Sequence, residues 1–138
     1  MGDFQLLEHT ADMGIAASGE DPAALFCAVA RGLRAVLSNL PPRPCSHWRD
    51  VAVEGGNLEE LLVNWLNTIL YHLEVDGLFP EDFRIEDIAA NRLTARIGGV
   101  LLDGSIPPPD REVKAATWHQ LRITRTKGRW QARLYLDL

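Results

Sequence analysis

The signatures of most familiar enzymes are missing from this chain. It has no GxGxxG motif after a strand, no Walker A loop, no HExxH pair and no GxSxG elbow. The usual sequence grounds for dinucleotide binding, P-loop phosphate chemistry, zinc peptidase and α/β-hydrolase activity are therefore absent. The four histidines lack the clustered spacing of a zinc site. Cysteine is scarce: Cys27 and Cys45 form no CxxC pair, and Cys27 falls inside an apolar helical pattern, where it reads as a buried thiol. No stretch approaches the roughly 18 apolar residues that span a bilayer. The N-terminus has no basic segment followed by an apolar one, so no signal peptide is expected. A cytoplasmic location without membrane contact follows as the expectation.

What is present is ordinary for a globular chain: 138 residues, 46% apolar and 24% charged. That is enough to bury a core, and one domain over residues 1–138 is expected. The net charge of −5 argues against broad, nonspecific nucleic-acid binding, but the charge is unevenly placed. Residues 111–133 carry seven basic side chains against the single acid Glu112, on a body that is otherwise acidic. This cationic strip reads either as a solvated strand face or as a contact for RNA or an acidic partner.

Phe4–Leu7 and Gly14–Ser18 read as short strands with His9-Thr10-Ala11-Asp12 between them. Asp21-Pro22 is a helix start, and Leu25, Phe26, Val29, Leu33, Val36 and Leu37 recur at helical spacing to about Ser38. The prolines of NLPPRPCSH then force a surface loop. Trp48–Val53 is a strand. Asn57 with Glu60 three positions on resembles a capping box. It opens a longer helix whose buried stripe runs from Leu58 through Trp65 to Leu73 and which ends near Gly77. Strands follow from Phe83, with a break expected at Gly98-Gly99. After the rigid Ile106–Asp110 segment, a hairpin pairs Ala116–Thr124 with Trp130–Leu136. The sum is α+β, two helices packed on a mostly antiparallel sheet.

Three groups stand out chemically. His9 and Asp12 share one turn, where Thr and Asp oxygens also bond backbone amides. Lys114 and His119 sit in EVKAATWH. Five apart on one strand, they would point to opposite faces unless Lys114 precedes the strand or a bulge intervenes. Asp137 follows an apolar strand end and is either solvated at the terminus or, if the last strand lies beside the first, brought to one edge with Asp12. Two adjacent carboxylates favour a neutralising cation, and oxygen-only ligation favours Ca²⁺, Mg²⁺ or Mn²⁺ over zinc.

HTADMGI, VNWLNTILY, EVKAATWHQL and GRWQARLYLDL together resemble the archease family, in the family's order and across nearly the whole chain. Trp118 stands where the family usually has tyrosine, and Leu136 where it has phenylalanine. GGVLLDGSIPPPDR, with Asp103 and Asp110 as its only acids, replaces the family's Gly-Glu pair and further acidic and histidine residues. The resemblance implies an archease-like fold and an accessory protein, not an enzyme. Such a protein activates the RNA ligase that joins 3′-phosphate or 2′,3′-cyclic-phosphate ends to 5′-hydroxyl ends. It promotes GTP-dependent guanylylation of that ligase and repeated turnover in tRNA splicing or RNA repair. It also implies a divalent metal, calcium first with magnesium or manganese as alternatives, on Asp12 and Asp137. The expected partner is the GTP-dependent RNA ligase, with only indirect contact with RNA. Residue type suggests that His9, Lys114 and His119 serve the partner, a phosphate or the metal's surroundings. Two other readings remain: a small metal-dependent hydrolase or phosphoryl-transfer enzyme, and a chaperone-like modulator of RNA-processing proteins.

Overall fold

The structure, a computed structural model, describes residues 2–8, 12–118 and 120–138. The chain runs β1 (Asp3–Glu8), β2 (Asp12–Gly19), α1 (Pro22–Leu37), β3 (His47–Glu54), α2 (Leu58–Asp76), β4 (Leu78–Ala89), β5 (Arg92–Leu101), β6 (Ala115–Ala116), β7 (Arg122–Thr126) and β8 (Arg129–Asp137). Every pairing is antiparallel. One sheet is ordered β1-β2-β8-β6, with β7 also on β8; the other is β3-β5-β4. Both helices touch both sheets, α1 through β2 and β4 and α2 through β6 and β4. The helices therefore lie between the sheets, and the second face of each sheet is turned outward.

Local chemistry fixes the helices as the sequence predicts. The Asp21 carboxylate accepts from the Ala24 amide at 2.7 Å, and Pro22 opens α1. Asn57 caps α2 through the Glu60 amide at 2.8 Å, and Gly77 ends it in the left-handed region at φ 67°. The core closes where they meet: Trp65 and Phe26 are wholly buried, and the Trp65 indole donates to the Phe26 carbonyl at 3.1 Å. A buried ion cluster pins the proline-rich loop. Glu81 takes Arg34 at 2.8 Å and Arg43 at 2.6 Å on its two oxygens, and Arg34 also donates to the Leu40 carbonyl at 2.6 Å.

Three expectations are corrected. Gly98 and Gly99 do not break a strand; β5 runs through both. A Cβ at Gly98 would stand 2.7 Å from the Trp48 ring, and one at Gly99 would stand 2.0 Å from the Phe79 carbonyl oxygen. These glycines admit a close neighbour rather than a turn. The expected Ala116–Thr124 strand is split into β6 and β7, because Gln120 takes φ 54° and Leu121 donates to the Trp118 carbonyl at 3.1 Å. Lys127 and Gly128, at φ 55° and 76°, make the β7–β8 turn with two left-handed residues, the geometry that suits strand twist. Strand β4 also starts earlier than its pattern suggests, at Leu78. It accommodates Pro80 at a register shift between Pro80 and Asp82.

Candidate functional site

The register of β2 on β8 sets Asp12 directly opposite Asp137. Met13 opposite Leu136 and Ile15 opposite Leu134 are buried against the helices, so by alternation both aspartates belong to the outward face. Directly opposed residues place their Cβ atoms about 5 Å apart. Gly14 and Tyr135 form the next pair on that face, and a Cβ at Gly14 would meet the Tyr135 ring at 2.7 Å. Glycine is thus required for the tyrosine to lie flat beside the carboxylates.

A third strand reaches the same end. The Lys114 amide donates to the Asp137 carbonyl at 2.8 Å, and Ala115 opposes Asp137 in register. Lys114 itself precedes β6, which meets the condition on which it escapes the strand's alternation. It is exposed and lines a groove of 480 Å³ with Leu70, Leu73, Glu74 and Arg111. A residue not singled out from the sequence secures this arrangement. The Asn67 side-chain amide accepts from the Ala116 N–H at 2.8 Å and donates to its carbonyl at 3.5 Å, standing in for a neighbouring strand. The signal was a polar residue within the apolar stripe of VNWLNT.

His9 and His119 lie outside the described residues. Among the described residues no group of three or more His, Cys, Asp or Glu side chains is placed to hold a metal. What the described chain offers a cation is one carboxylate pair, a donor set that fits a hard divalent ion completing its shell with water or a partner's oxygens. Asp103 and Asp110, the acids of the divergent segment, are engaged locally. Asp103 accepts from the Ser105 amide and hydroxyl at 3.0 and 2.5 Å, and the hydroxyl holds its carboxyl below the usual range. Asp110 accepts from the Asn39 amide at 2.7 Å and donates its own amide to the Leu37 carbonyl at 2.8 Å, closing the C-terminal end of α1. Both cysteines are free, and desolvation pushes both thiols up.

A larger groove lies away from the aspartates. It covers 840 Å³ on the same outward face, further along β8 across β1, β2 and β7. No described helix is long and apolar enough to cross a membrane.

Fold and site together define a class: a small α+β protein with two helices held between antiparallel sheets and a carboxylate pair at a strand end. The family model described as the archease protein family (MTH1598/TM1083) matches residues 4–138. The chain is 37% identical over 142 residues to a protein archease of Pyrococcus abyssi and 38% identical over 145 residues to that of Thermococcus gammatolerans, covering 100% of each chain in both cases. Among solved structures it is similar to protein 1598 of Methanobacterium thermoautotrophicum, with TM-score 0.72, 27% identity and 98% of each chain covered. It shares the fold of a Thermotoga maritima protein described as an archease and possible chaperone, with TM-score 0.68, 20% identity, and 96% and 94% covered. This chain belongs to the archease family.

Proposed function

We propose that this protein is a metal-binding accessory factor that activates a GTP-dependent RNA ligase, and that the Asp12–Asp137 end of the five-stranded sheet is the part presented to that partner. The observation that carries the reading is the register: two carboxylates directly opposed on one outward face, on strands tied to a third by the Lys114–Asp137 bond. Like charges facing each other across a ladder are destabilising, and a site that keeps them gains from a cation. A divalent ion bound there, calcium first and magnesium or manganese as alternatives, supplies positive charge against nucleotide phosphate. The chain's own residues do the positioning. Asn67 holds β6 against α2, β6 holds the end of β8, and the Gly14–Tyr135 pair flanks the carboxylates. Lys114, exposed beside this end, offers a point charge for a phosphate.

The test mixes the protein with such a ligase and radiolabelled GTP, with and without divalent metal, and follows the ligase–GMP adduct. Asp12→Asn/Asp137→Asn is expected to keep its fold by circular dichroism and to leave adduct formation at the level of ligase alone. Full stimulation by the double variant would sink the proposal. A second reading, a chaperone-like modulator of several RNA-processing proteins, draws on the exposure of Trp118, Tyr71 and Val75, each more than half accessible. A pull-down returning many unrelated partners with no ligase enriched would favour it.

A further inference from the structure

The 840 Å³ groove on the outward face of the five-stranded sheet holds a charge pattern that the fold leaves uncompensated. Arg122 on β7 and Arg133 on β8 are direct cross-strand partners and both are exposed. Neither has an ion pair or side-chain hydrogen bond among the described residues. Two like charges directly opposed cost stability unless an anion lies between them. The other basic residues near this face are engaged: Arg129 reaches Asp3 at 3.7 Å and Ser18 at 3.2 Å, and Arg125 lies over the Trp130 ring at 5.4 Å. The unpaired pair is therefore specific to the groove.

The remaining lining tells which anion fits. Gln5, Ser18, Thr124 and Gln131 bring neutral amides and hydroxyls to the groove, and its one lining carboxylate, Asp3, is faced by Arg129 at 3.7 Å. On the outward face the floor carries the small side chain of Ala16, while Ala17 and Ala132 turn theirs into the core, so a ligand backbone can approach closely. Phe4 borders the groove, but its ring is directed to Gly32 of α1, and no other aromatic among the described residues lines it. The described residues thus offer no platform on which bases could stack, as sequence-tolerant single-strand binders often use. A peptide that adds to a sheet as a strand does so at an edge, and this groove lies across the face of four strands; an acidic peptide docking side chains on the arginines is the alternative that the polyglutamate competition below tests.

We infer that this face binds a single strand of nucleic acid through its phosphates, with Arg122 and Arg133 clasping one phosphodiester between their planar forks. The contact is sequence-independent and local, which is compatible with a chain of net charge −5. It does not rest on ligase activation, since the protein alone should show it.

The test is fluorescence anisotropy of a labelled oligouridine against the isolated protein over a salt series. The wild type is expected to bind at about 50 mM salt, with a steep salt dependence. Arg122→Gln/Arg133→Gln is expected to weaken binding about tenfold and to lower the log–log salt slope by about 0.7, the loss of one neutralised phosphate. Lys127→Gln, in the turn outside the groove, should change the affinity less than about twofold. Absence of binding by the wild type, an unchanged double variant, or equal displacement by polyglutamate would overturn the assignment, the last in favour of an acidic protein. Matching circular dichroism and melting of the double variant show that any loss is not unfolding.

Discussion

The two outward sheet faces of this molecule treat their charges in opposite ways. On the three-stranded sheet, Trp48 lies over Gly98 with Arg84 and Arg96 against its ring at 4.7 and 4.9 Å. Arg96 is held by Asp50 at 3.1 Å and Arg84 by Asp82 at 3.5 Å. Arg84 and Arg96 also oppose each other in register, but each has a carboxylate of its own, so the charges there answer one another. On the five-stranded sheet, Asp12 faces Asp137 and Arg122 faces Arg133. Two like-charged pairs occupy one face, with no protein counterion at the arginine pair among the described residues. A sheet gains from opposed charges of unlike sign and loses from like ones. The first face compensates its like pair, Arg84 and Arg96, within the fold, whereas the second forgoes stability in a way that ligands of the right sign would reverse.

If the closed face is structural, disturbing it should cost stability and leave partner chemistry alone. Gly98→Ala places a methyl 2.7 Å from the Trp48 ring and 2.8 Å from the Cys45 sulfur. Displacing the indole from between two guanidinium groups is expected to cost about 1–3 kcal/mol. Thermal melting should fall by roughly 3–10 °C. Oligouridine affinity and ligase stimulation should be unchanged. A variant that melts normally but fails to stimulate would reverse the assignment of roles.

The open face should respond with the opposite sign. Arg122→Glu turns a like pair with Arg133 into an unlike one and is expected to stabilise by about 0.2–1 kcal/mol while abolishing nucleic-acid binding. The mirror change on the closed face, Asp50→Arg, sets a second cation opposite Arg96, its register partner. It should destabilise by a similar amount. Paired melting curves check both. If Arg122→Glu destabilises, the arginine pair has a structural role and the contrast between the faces fails.

How much of this was legible in the sequence follows from the range of each interaction. The helix limits are local: Asp21, Pro22, Asn57 and Gly77 act within a turn of themselves, and the structure places the ends where those residues imply. The α+β class was legible from periodicity for the same reason. Gly98-Gly99 was not, because what the glycines admit, Trp48 and Phe79, comes from other strands. The break at Gln120 carries no glycine or proline to announce it. Residue type and family resemblance singled out Asp12 and Asp137, but their opposition depends on the register of strands from the two ends of the chain. Asn67 left only the trace of a polar residue among apolar ones, and the role of its amide, like the opposition of Arg122 and Arg133, needed tertiary structure.

The smallest expected effect concerns a carboxylate that belongs with the satisfied set. Asp76, at the end of α2, takes a hydrogen bond from His72 Nδ1 at 2.6 Å and faces Arg49 of β3 at 3.5 Å. The His72 hydrogen bond, with Arg49 adding to it, holds the carboxyl below its ordinary value. A carboxyl lowered on folding stabilises the native state above its unfolded value, about 3.9, and loses that contribution as pH falls through the folded value. The wild type should therefore melt above Asp76→Asn at pH 5–6. The gap should narrow steadily below about pH 4 as the wild-type carboxylate protonates. Melting at half-unit steps from pH 2 to 7 measures it. A gap that stays constant with pH would show that Asp76 acts through geometry alone, and the charge pairing attributed to that side of the molecule would lose one of its members.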